Sequence, residues 1–304
     1  MAQSWPETAP TEVRLAAGHA ELAVDLRGGA LRRLAVGDWE VLDGYAAGTA
    51  AAGWRGAVLL PWPNRVRAGR WSWHGTPLQL DVASPEQPHA LHGLVAAQPW
   101  RLLAAVGAAA TVGTTVEPHV GYPFRLAAAL DYRLADDRLT ATLRVRNAGA
   151  EPAPVGAGFH PYLAVGAERD GDLSDAELCL PARTQLVLDG GLPTGERRPV
   201  DGATGRIGDR VFDDALTDLE RDGDGWARAR LRGPAGELEL AVDRAWPWLQ
   251  VYSGDTLPAG QRRRSLAIEP MTCPPNALAD GVDLVVLEPG EQWAGTWSLG
   301  WSPR

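Results

Sequence analysis

The sequence of 304 residues has no surplus of positive charge, and this shortage excludes several classes of partner. Its formal net charge is -9 and its pI is near 5.2. Nucleic acids and anionic membrane surfaces are bound through clustered basic residues that neutralise phosphates. We therefore expect neither nucleic acid nor membrane as a partner, and we favour a small or uncharged ligand.

Cysteine is also scarce, with Cys179 and Cys273 as the two examples. They lie far apart in the sequence, and neither belongs to a Cys-x-x-Cys or Cys/His pattern with metal-ligand spacing. The sequence therefore predicts two free, mostly buried thiols, no disulfide framework and no metal site.

The N-terminal residues lack a basic region followed by an apolar run, and no later stretch stays apolar for the length of a membrane span. These absences favour a cytoplasmic protein.

Short runs of alternating apolar and polar residues fill the chain, and Gly, Pro, Asp and Asn separate them. This pattern favours an all-β fold, namely a large antiparallel β-sandwich or barrel with few short helices. The clearest predicted strands are residues 21–26, 139–145, 237–242 and 284–287. We interpret the Ala-rich windows 46–52 and 104–110 as loop and strand, respectively.

Turn residues between these runs predict specific hairpins, since Gly, Pro and Asp tolerate the backbone angles of tight turns. The predicted turns are Gly28-Gly29, Asp136-Asp137 and Gly233-Pro234-Ala235-Gly236. No linker-like change of composition and no internal repeat divides the chain. We therefore expect one domain over residues 1–304.

Three of the six histidines stand in turn-like contexts with small or rigid neighbours. His89 and His92 belong to Pro-His-Ala-Leu-His-Gly, and His160 precedes Pro161. A following proline restricts the backbone of the residue before it, so the direction of the His160 side chain should be well defined. Such a histidine suits acid-base chemistry, although a half-buried histidine bonded to a backbone group fits the same pattern.

Glu269 lies at the end of the apolar run 266–268, and a carboxylate there should be partly desolvated. Desolvation raises the pKa of a carboxyl group and makes it a usable base near neutral pH. The alternative is a structural glutamate that forms a salt bridge with Arg263 or Arg264.

Residues 59–65, Leu-Leu-Pro-Trp-Pro-Asn-Arg, predict a rigid loop after a buried strand, with Asn64 and Arg65 at its tip. Rigid loops on a β scaffold commonly carry recognition groups, and an amide next to a guanidinium offers several donors to sugar oxygens. A turn that buries only its tryptophan and leaves Arg65 in solvent is the alternative.

Six short motifs in a fixed order resemble one known family. They are Asn64-Arg65, Leu91-His92-Gly93, His160-Pro161-Tyr162, Phe212-Asp213, Leu249-Gln250-Val251-Tyr252 and Glu269-Pro270. Together they resemble the aldose 1-epimerase (galactose mutarotase) family, whose members interconvert the α and β anomers of sugars. The resemblance runs from about Val13 to Trp297.

The resemblance implies a β-sandwich with the site in its concave face, and it implies a role for each motif residue. Glu269 would be the general base and His160 the general acid, which requires no cofactor. Arg65 and His92 would hold the ring oxygen and neighbouring hydroxyls. The remaining residues would bind hydroxyls or line the pocket, namely Asp213, Asn64, Gln250 and Tyr252.

The sequence departs from typical galactose mutarotases at Asp214-Ala215-Leu216, where they carry His-Asn-Phe, so galactose specificity is not implied. Its motifs Trp-Pro-Asn-Arg and His-Gly-Leu-Val are closer to those of a bacterial aldose 1-epimerase-like subgroup. Ala96-Ala97 occupy the stretch where a hexose-6-phosphate epimerase would carry an arginine. We expect a free hexose as substrate, with Arg262 to Arg264 as a solvated strand edge.

Three other functions remain open from the sequence. A non-catalytic carbohydrate-binding module could use the same scaffold, a hexose-6-phosphate 1-epimerase would share the chemistry, and a glycosidase would need two carboxylates beside the bond that breaks. Catalysis of anomer exchange is favoured because both proton-transfer groups are present. The oligomeric state cannot be predicted.

Overall fold

A computed structural model describes residues 11–84, 87–166, 172–200 and 204–304. The described chain is built almost entirely from β-strands, joined by three single turns of 3-10 helix and one short α-helix, α1 (Ala277–Asp280). In chain order the strands are β1 (Glu12–Ala17), β2 (Ala20–Asp25), β3 (Ala30–Val36), β4 (Trp39–Glu40), β5 (Val58–Leu59), β6 (Arg65–Val66), β7 (Arg70–Trp73), β8 (Thr76–Gln79), β9 (Ala90–Leu91), β10 (Arg101–Val106), β11 (Ala109–Val116), β12 (Leu126–Leu134), β13 (Arg138–Asn147) and β14 (Ala153–Val155). The second half continues with β15 (Gly158–Phe159), β16 (Tyr162–Leu163), β17 (Glu177–Cys179), β18 (Ala182–Asp189), β19 (Leu192–Pro199), β20 (Thr204–Arg206), β21 (Asp213–Leu219), β22 (Ala227–Gly233), β23 (Gly236–Val242), β24 (Trp248–Tyr252), β25 (Leu266–Met271), β26 (Val285–Leu287) and β27 (Gln292–Pro303).

Two large antiparallel sheets dominate the architecture, and the all-β prediction is confirmed. The nine-stranded sheet has the order β10-β11-β12-β13-β27-β23-β22-β17-β20. The eight-stranded sheet has the order β19-β18-β21-β24-β25-β15-β5, with β16 also paired to β25. A four-stranded sheet (β1–β4) and three two-stranded pairs complete the fold.

The predicted hairpins are confirmed. The turn at residues 28–29 joins β2 to β3, the turn at 136–137 joins β12 to β13, and the turn at 233–236 joins β22 to β23. The Ala-rich window 104–110 lies in β10, β11 and the turn between them, and the window 46–52 has no strand. Cys179 and Cys273 are free thiols, with Cys273 buried and Cys179 partly exposed.

Alternation along the strands explains how the two large sheets share one hydrophobic core. In β13, every second residue from Leu139 to Val145 is fully buried. Phe159 of the eight-stranded sheet contacts Trp297 of the nine-stranded sheet, with 5.3 Å between ring centroids. The two sheets therefore pack face to face, and the other face of the eight-stranded sheet points away from this core.

Candidate active site

Glu269 lies on the face of β25 that points away from the shared core. Its neighbours Leu266 and Ile268 belong to the main core cluster, whereas Ala267 and Met271 belong to two small separate apolar clusters. Because side chains alternate between faces, Glu269 shares its face with Ala267 and Met271. The residue is 2% exposed and lies within the strand rather than at its end.

The strand β24 continues the same face. Gln250 lies directly opposite Glu269 in the register, and Tyr252 lies opposite Ala267. On the next strand, β21, Asp213 lies opposite Tyr252. The Nε2 of Gln250 donates a hydrogen bond of 2.7 Å to Oδ1 of Asp213. This row of polar residues crosses three adjacent strands beside two apolar clusters.

His160 reaches the same face from the chain just after β15. Phe159 enters the core, so the following residue points to the opposite side. The Nε2 of His160 lies 3.3 Å from Oε1 of Glu269, and both side chains are buried. The two residues predicted as acid and base are therefore in direct contact in the free protein, rather than facing each other across an open gap.

An aromatic stack holds the His160 ring. The Tyr162 ring is parallel to it, with 4.9 Å between centroids and 13° between planes. The Tyr162 hydroxyl donates to the carbonyl of Gly53 at 2.8 Å. The guanidinium of Arg55 lies 4.9 Å from the centroid of the Tyr162 ring, and it forms an ion pair with Asp43 at 3.1 Å. Arg55 thus supports the histidine through the tyrosine.

Burial shifts the pKa of each group in the direction that favours its neutral form. Desolvation, reinforced by the charge of Asp213, raises the pKa of Glu269 well above its ordinary value, against a smaller opposing effect of Arg65. Desolvation lowers the pKa of His160 to about 3. Desolvation therefore acts against charge on both groups in the free protein, and their contact makes them a coupled pair.

Asn64 and His92 hold each other through a pair of backbone contacts. The backbone N–H of Asn64 donates to Nδ1 of His92 at 3.2 Å, and the backbone N–H of His92 donates to the carbonyl of Asn64 at 2.9 Å. Both residues have left-handed φ values, +53° and +61°. Such backbone is uncommon outside glycine and persists where surrounding contacts enforce it.

The Asn64 contact fixes the tautomer of His92. An Nδ1 that accepts a hydrogen bond carries no proton, so the proton of the neutral ring is on Nε2. Burial, followed by the charges of His160 and Arg65, lowers the pKa of His92 well below its ordinary value. The rings of His92 and His160 are 5.4 Å apart, and Trp54 lies 5.0 Å from His92 on another side. His92 is therefore a neutral donor beside the pair.

Arg65 completes the cluster. Its backbone N–H and its Nη1 both approach Oδ1 of Asn64, at 2.9 and 3.2 Å. Among the described residues, no carboxylate lies within ion-pair distance of its guanidinium. Its positive charge nevertheless acts on both Glu269 and His92, since it lowers the pKa of each.

The structure thus brings all eight predicted site residues to one group. Tyr252 lies at its margin: its ring is 6.3 Å from that of Tyr162, and its hydroxyl lies 2.7 Å from Oγ1 of Thr256 in an exposed contact. His89, the other histidine in a turn, accepts a hydrogen bond from the backbone N–H of Ala68 at 3.2 Å and matches the structural interpretation.

The prediction for Arg262 to Arg264 is wrong, because these residues form a turn before β25 rather than a solvated strand edge. The partly buried Arg263 contacts Asp255 at 3.2 Å, and Arg264 contacts Asp43 at 2.5 Å. Neither pairs with Glu269. Local charge in the sequence did not reveal these partners, which come from distant segments.

Sequence reasoning missed Arg55, Trp54 and the role of Tyr162. Tyr162 was inside a recognised motif, so its position next to Pro161 was a usable signal. Arg55 had no such signal, since one arginine between Trp and Gly is ordinary.

Within the described ranges, no group of three His, Cys, Asp or Glu side chains could hold a metal ion, and no helix is long and apolar enough to cross a membrane.

Comparison with known proteins assigns the family. The model of the aldose 1-epimerase family matches residues 11–300. The chain belongs to the aldose 1-epimerase family. The uncharacterized protein YihR of Escherichia coli (strain K12) is 32% identical over 241 residues, which cover 78% of this chain and 75% of YihR.

Solved structures show that the fold is that of the galactose mutarotase-like epimerases. The GalM/aldose epimerase homologue from C. elegans superimposes with a TM-score of 0.83 at 16% identity, covering 96% of this chain and 98% of that one. A galactose mutarotase-like protein from Clostridium acetobutylicum gives a TM-score of 0.82 at 18% identity, covering 96% and 95%. At these identities the likeness concerns the fold alone.

Proposed function

We propose that this aldose 1-epimerase family member interconverts the α and β anomers of a free hexose, with Glu269 and His160 as the proton-transfer pair. The observation that carries the proposal is the 3.3 Å contact between Oε1 of Glu269 and Nε2 of His160 on a buried face. Two proton carriers in direct contact can remove a proton from one sugar oxygen while they supply one to another.

The proposed reaction opens and closes the sugar ring. The base removes the proton of the anomeric hydroxyl, the acid delivers a proton to the ring oxygen, and the C1–O5 bond breaks to give the open-chain aldehyde. Rotation about the C1–C2 bond presents the other face of the carbonyl. Closure reverses both proton transfers, so the pair ends with the proton count with which it began.

His92 and Arg65 are suited to the ring oxygen and the hydroxyls beside it. The Nε2 proton of neutral His92 is a donor that does not compete for the catalytic proton. Arg65 adds a permanent positive charge near the point where negative charge develops during ring opening. We assign both to substrate binding and to stabilisation of the transition state.

Atoms without a partner support a ligand rich in hydroxyl groups. Three of the buried side-chain atoms that lack a hydrogen bond within the described residues belong to this site: Nδ1 of His160, Oε1 of Gln250 and Oε2 of Glu269. Buried polar atoms are normally paired, so such a concentration indicates missing ligand contacts. We assign Gln250 and Asp213 to sugar hydroxyls, with Asn64 and Tyr252 as supporting residues.

We propose an unphosphorylated hexose because the candidate phosphate ligands are engaged elsewhere. Arg263 and Arg264 are occupied by carboxylates and backbone carbonyls. The exposed Arg197 shares the site-bearing face by register, but its guanidinium lies over the Trp248 ring, 5.6 Å from the centroid. Four strand spacings separate Arg197 from Glu269, which corresponds to about 19 Å measured along the sheet.

Anomer exchange measured by NMR tests this function. Fresh α-anomers of several hexoses and their 6-phosphates would be incubated with the wild-type protein and with Glu269→Gln. We expect wild-type exchange well above the spontaneous rate, with a higher kcat/KM for free hexoses. Exchange by neither set of sugars would refute the function, and a preference for the phosphates that Arg197→Ala abolishes would refute the substrate.

A further inference from the structure

Arg65 meets a part of the chain that lies at the opposite edge of the eight-stranded sheet. Arg65 follows β5, which ends one side of the strand order, whereas Gly191 lies in the turn between β18 and β19 at the other side. A Cβ atom placed on Gly191 would lie 2.7 Å from Cζ of Arg65. The strands β18 and β5 lie five spacings apart in the sheet, ~24 Å if it were flat. The shape of the sheet and the loop between β5 and Arg65 together bring these two residues into contact.

The turn that carries Gly191 is a tight two-residue hairpin. Gly190 and Gly191 have φ values of +57° and +77°, and Asp189 pairs with Leu192 on either side of them. Positive φ at both central residues is the geometry that matches the twist of the flanking strands. Leu192 is only 4% exposed, so the base of the turn is packed into the protein. The turn therefore has a defined backbone geometry and a packed base.

The two glycines differ in what lies next to them. Nothing lies within 4 Å of a Cβ placed on Gly190, whereas a Cβ on Gly191 meets the Nε, Cζ and Nη1 atoms of Arg65. Contacts shorter than 3.0 Å would force the guanidinium to move, since it is the flexible end of a long side chain. Gly191 therefore offers bare backbone against which Arg65 packs.

Other restraints on Arg65 are few. Its guanidinium is held by Oδ1 of Asn64 at 3.2 Å, and among the described residues no carboxylate is in ion-pair reach. A long side chain with one hydrogen bond retains several rotamers unless packing removes them. Packing against Gly191 supplies that restraint, and it acts on the group that we assign to the sugar ring oxygen.

We propose that Gly191 is a positioning residue, whose lack of a side chain fixes the Arg65 guanidinium at the sugar site, and that the Gly190–Gly191 turn lines the site next to Arg65. The inference rests on the proposed function for its kinetic consequence. The contact between the turn and Arg65 is independent of that function.

Gly191→Ala tests the proposal, with Gly190→Ala as the matched control. Both substitutions place a side chain at positive φ in the same turn, so they share the backbone cost. Only Gly191→Ala displaces Arg65. We expect kcat/KM for anomer exchange to fall at least about tenfold below that of Gly190→Ala, because a small misplacement of a binding group has effects of this order or larger.

A double-mutant cycle separates positioning from a general loss of structure. In an Arg65→Ala background the added Gly191→Ala change should cost almost nothing in kcat/KM, because the displaced group is already absent. Thermal unfolding of the same four proteins reports the contact without any assay of activity. There we expect Gly191→Ala to lower Tm more in the wild-type background than in Arg65→Ala.

The outcomes are distinct. If wild type exchanges anomers and Gly191→Ala matches Gly190→Ala in kcat/KM, the positioning role is refuted. If Gly191→Ala lowers kcat/KM or Tm equally in both backgrounds, its effect does not pass through Arg65, and the proposal is also refuted. Inactivity of the wild-type protein towards every sugar refutes the proposed function, whereas coupling in Tm would still show the contact.

Discussion

The two large sheets follow the same alternation of apolar and polar residues, but their polar residues differ in environment. On the nine-stranded sheet, Arg230 pairs with Glu239 at 2.9 Å and Arg232 with Glu237 at 2.6 Å, all partly exposed to solvent. On the eight-stranded sheet, the outward face carries Glu269, which is almost fully buried and has one oxygen without a partner among the residues that the structure describes.

This difference shows that alternation of apolar and polar residues identifies which side chains share a sheet face. It does not show whether that face is solvated scaffold or a functional site. Exposed charges with cross-strand partners are typical of a solvated scaffold, and each pair contributes little to stability. A buried carboxyl with a raised pKa and an unpaired oxygen is costly, and such costs concentrate at functional sites. The predictions that follow test this contrast between the sheets.

The largest effect is expected for Glu269→Gln. Removal of the proposed base should reduce kcat for anomer exchange by roughly 10²- to 10⁴-fold, the usual contribution of a proton-transfer group. Glu239→Gln on the nine-stranded sheet is the matched control and should leave kcat unchanged. Equal rates for the two variants would show that burial does not mark the base. NMR anomer exchange measures both.

At higher pH, Glu269→Gln should also have a larger free energy of unfolding than the wild-type protein. A carboxyl whose folded pKa is raised contributes stability below its unfolded pKa and loses that contribution as the pH rises through the folded value. Glutamine has no such loss, so Glu269→Gln should gain free energy of unfolding relative to wild type as the pH rises above about 4.5. Urea unfolding across that range measures it, and parallel curves would contradict the raised pKa.

A smaller kinetic effect is expected for His92→Phe. The ring shape is kept, but the proposed Nε2 donor to the sugar is lost, and an unpaired or missing hydrogen bond of this kind costs about 1–3 kcal/mol. We expect kcat/KM to fall roughly 10- to 100-fold. His89→Phe is the control, since that histidine bonds only to backbone among its observed contacts, and an equal loss in both variants would exclude a specific role for His92.

The titration of His160 gives an effect in the opposite direction to that of Glu269. A histidine with a pKa lowered from 6.5 to about 3 costs the folded state stability as the pH falls through that window, because only the unfolded chain binds the proton. The comparison should use Glu269→Gln with and without His160→Gln, so that the carboxyl does not titrate. The double variant should lose less stability between about pH 6.5 and pH 4. Identical slopes would contradict a buried neutral imidazole.

The smallest effect is expected for the scaffold charges. Alanine substitution of Arg230 and Glu239, singly and together, should give a coupling free energy below about 1 kcal/mol, as exposed ion pairs do. Thermal unfolding at low and high salt measures it. A larger coupling, insensitive to salt, would mean that the nine-stranded sheet depends on its charges and would weaken the contrast.

Much of the fold followed from the sequence because it depends on local patterns. Alternation predicted strands such as β13 and β23, and turn residues located three hairpins. Glu269 after an apolar run indicated a desolvated carboxyl, which the raised pKa bears out. These inferences need only neighbouring residues and the period of a strand.

The remaining features depend on contacts between distant segments. Nothing near Arg55 predicts its place over Tyr162, and the run Arg262 to Arg264 was misjudged because its acidic partners lie elsewhere in the chain. The contact of Arg65 with Gly191 joins two segments more than 120 residues apart in the sequence. Short motifs could nominate the site residues, but only tertiary structure shows which of them touch.

The contact between His160 and Glu269 also has a consequence for affinity. In the proposed site an incoming anomeric hydroxyl must separate two groups that are already in contact at 3.3 Å, so that contact competes with the substrate for the same atoms. A sugar analogue without an oxygen at C1 cannot repay this loss. If the site acts as proposed, the contact weakens the binding of every sugar, and ligands that engage both His160 and Glu269 bind most tightly.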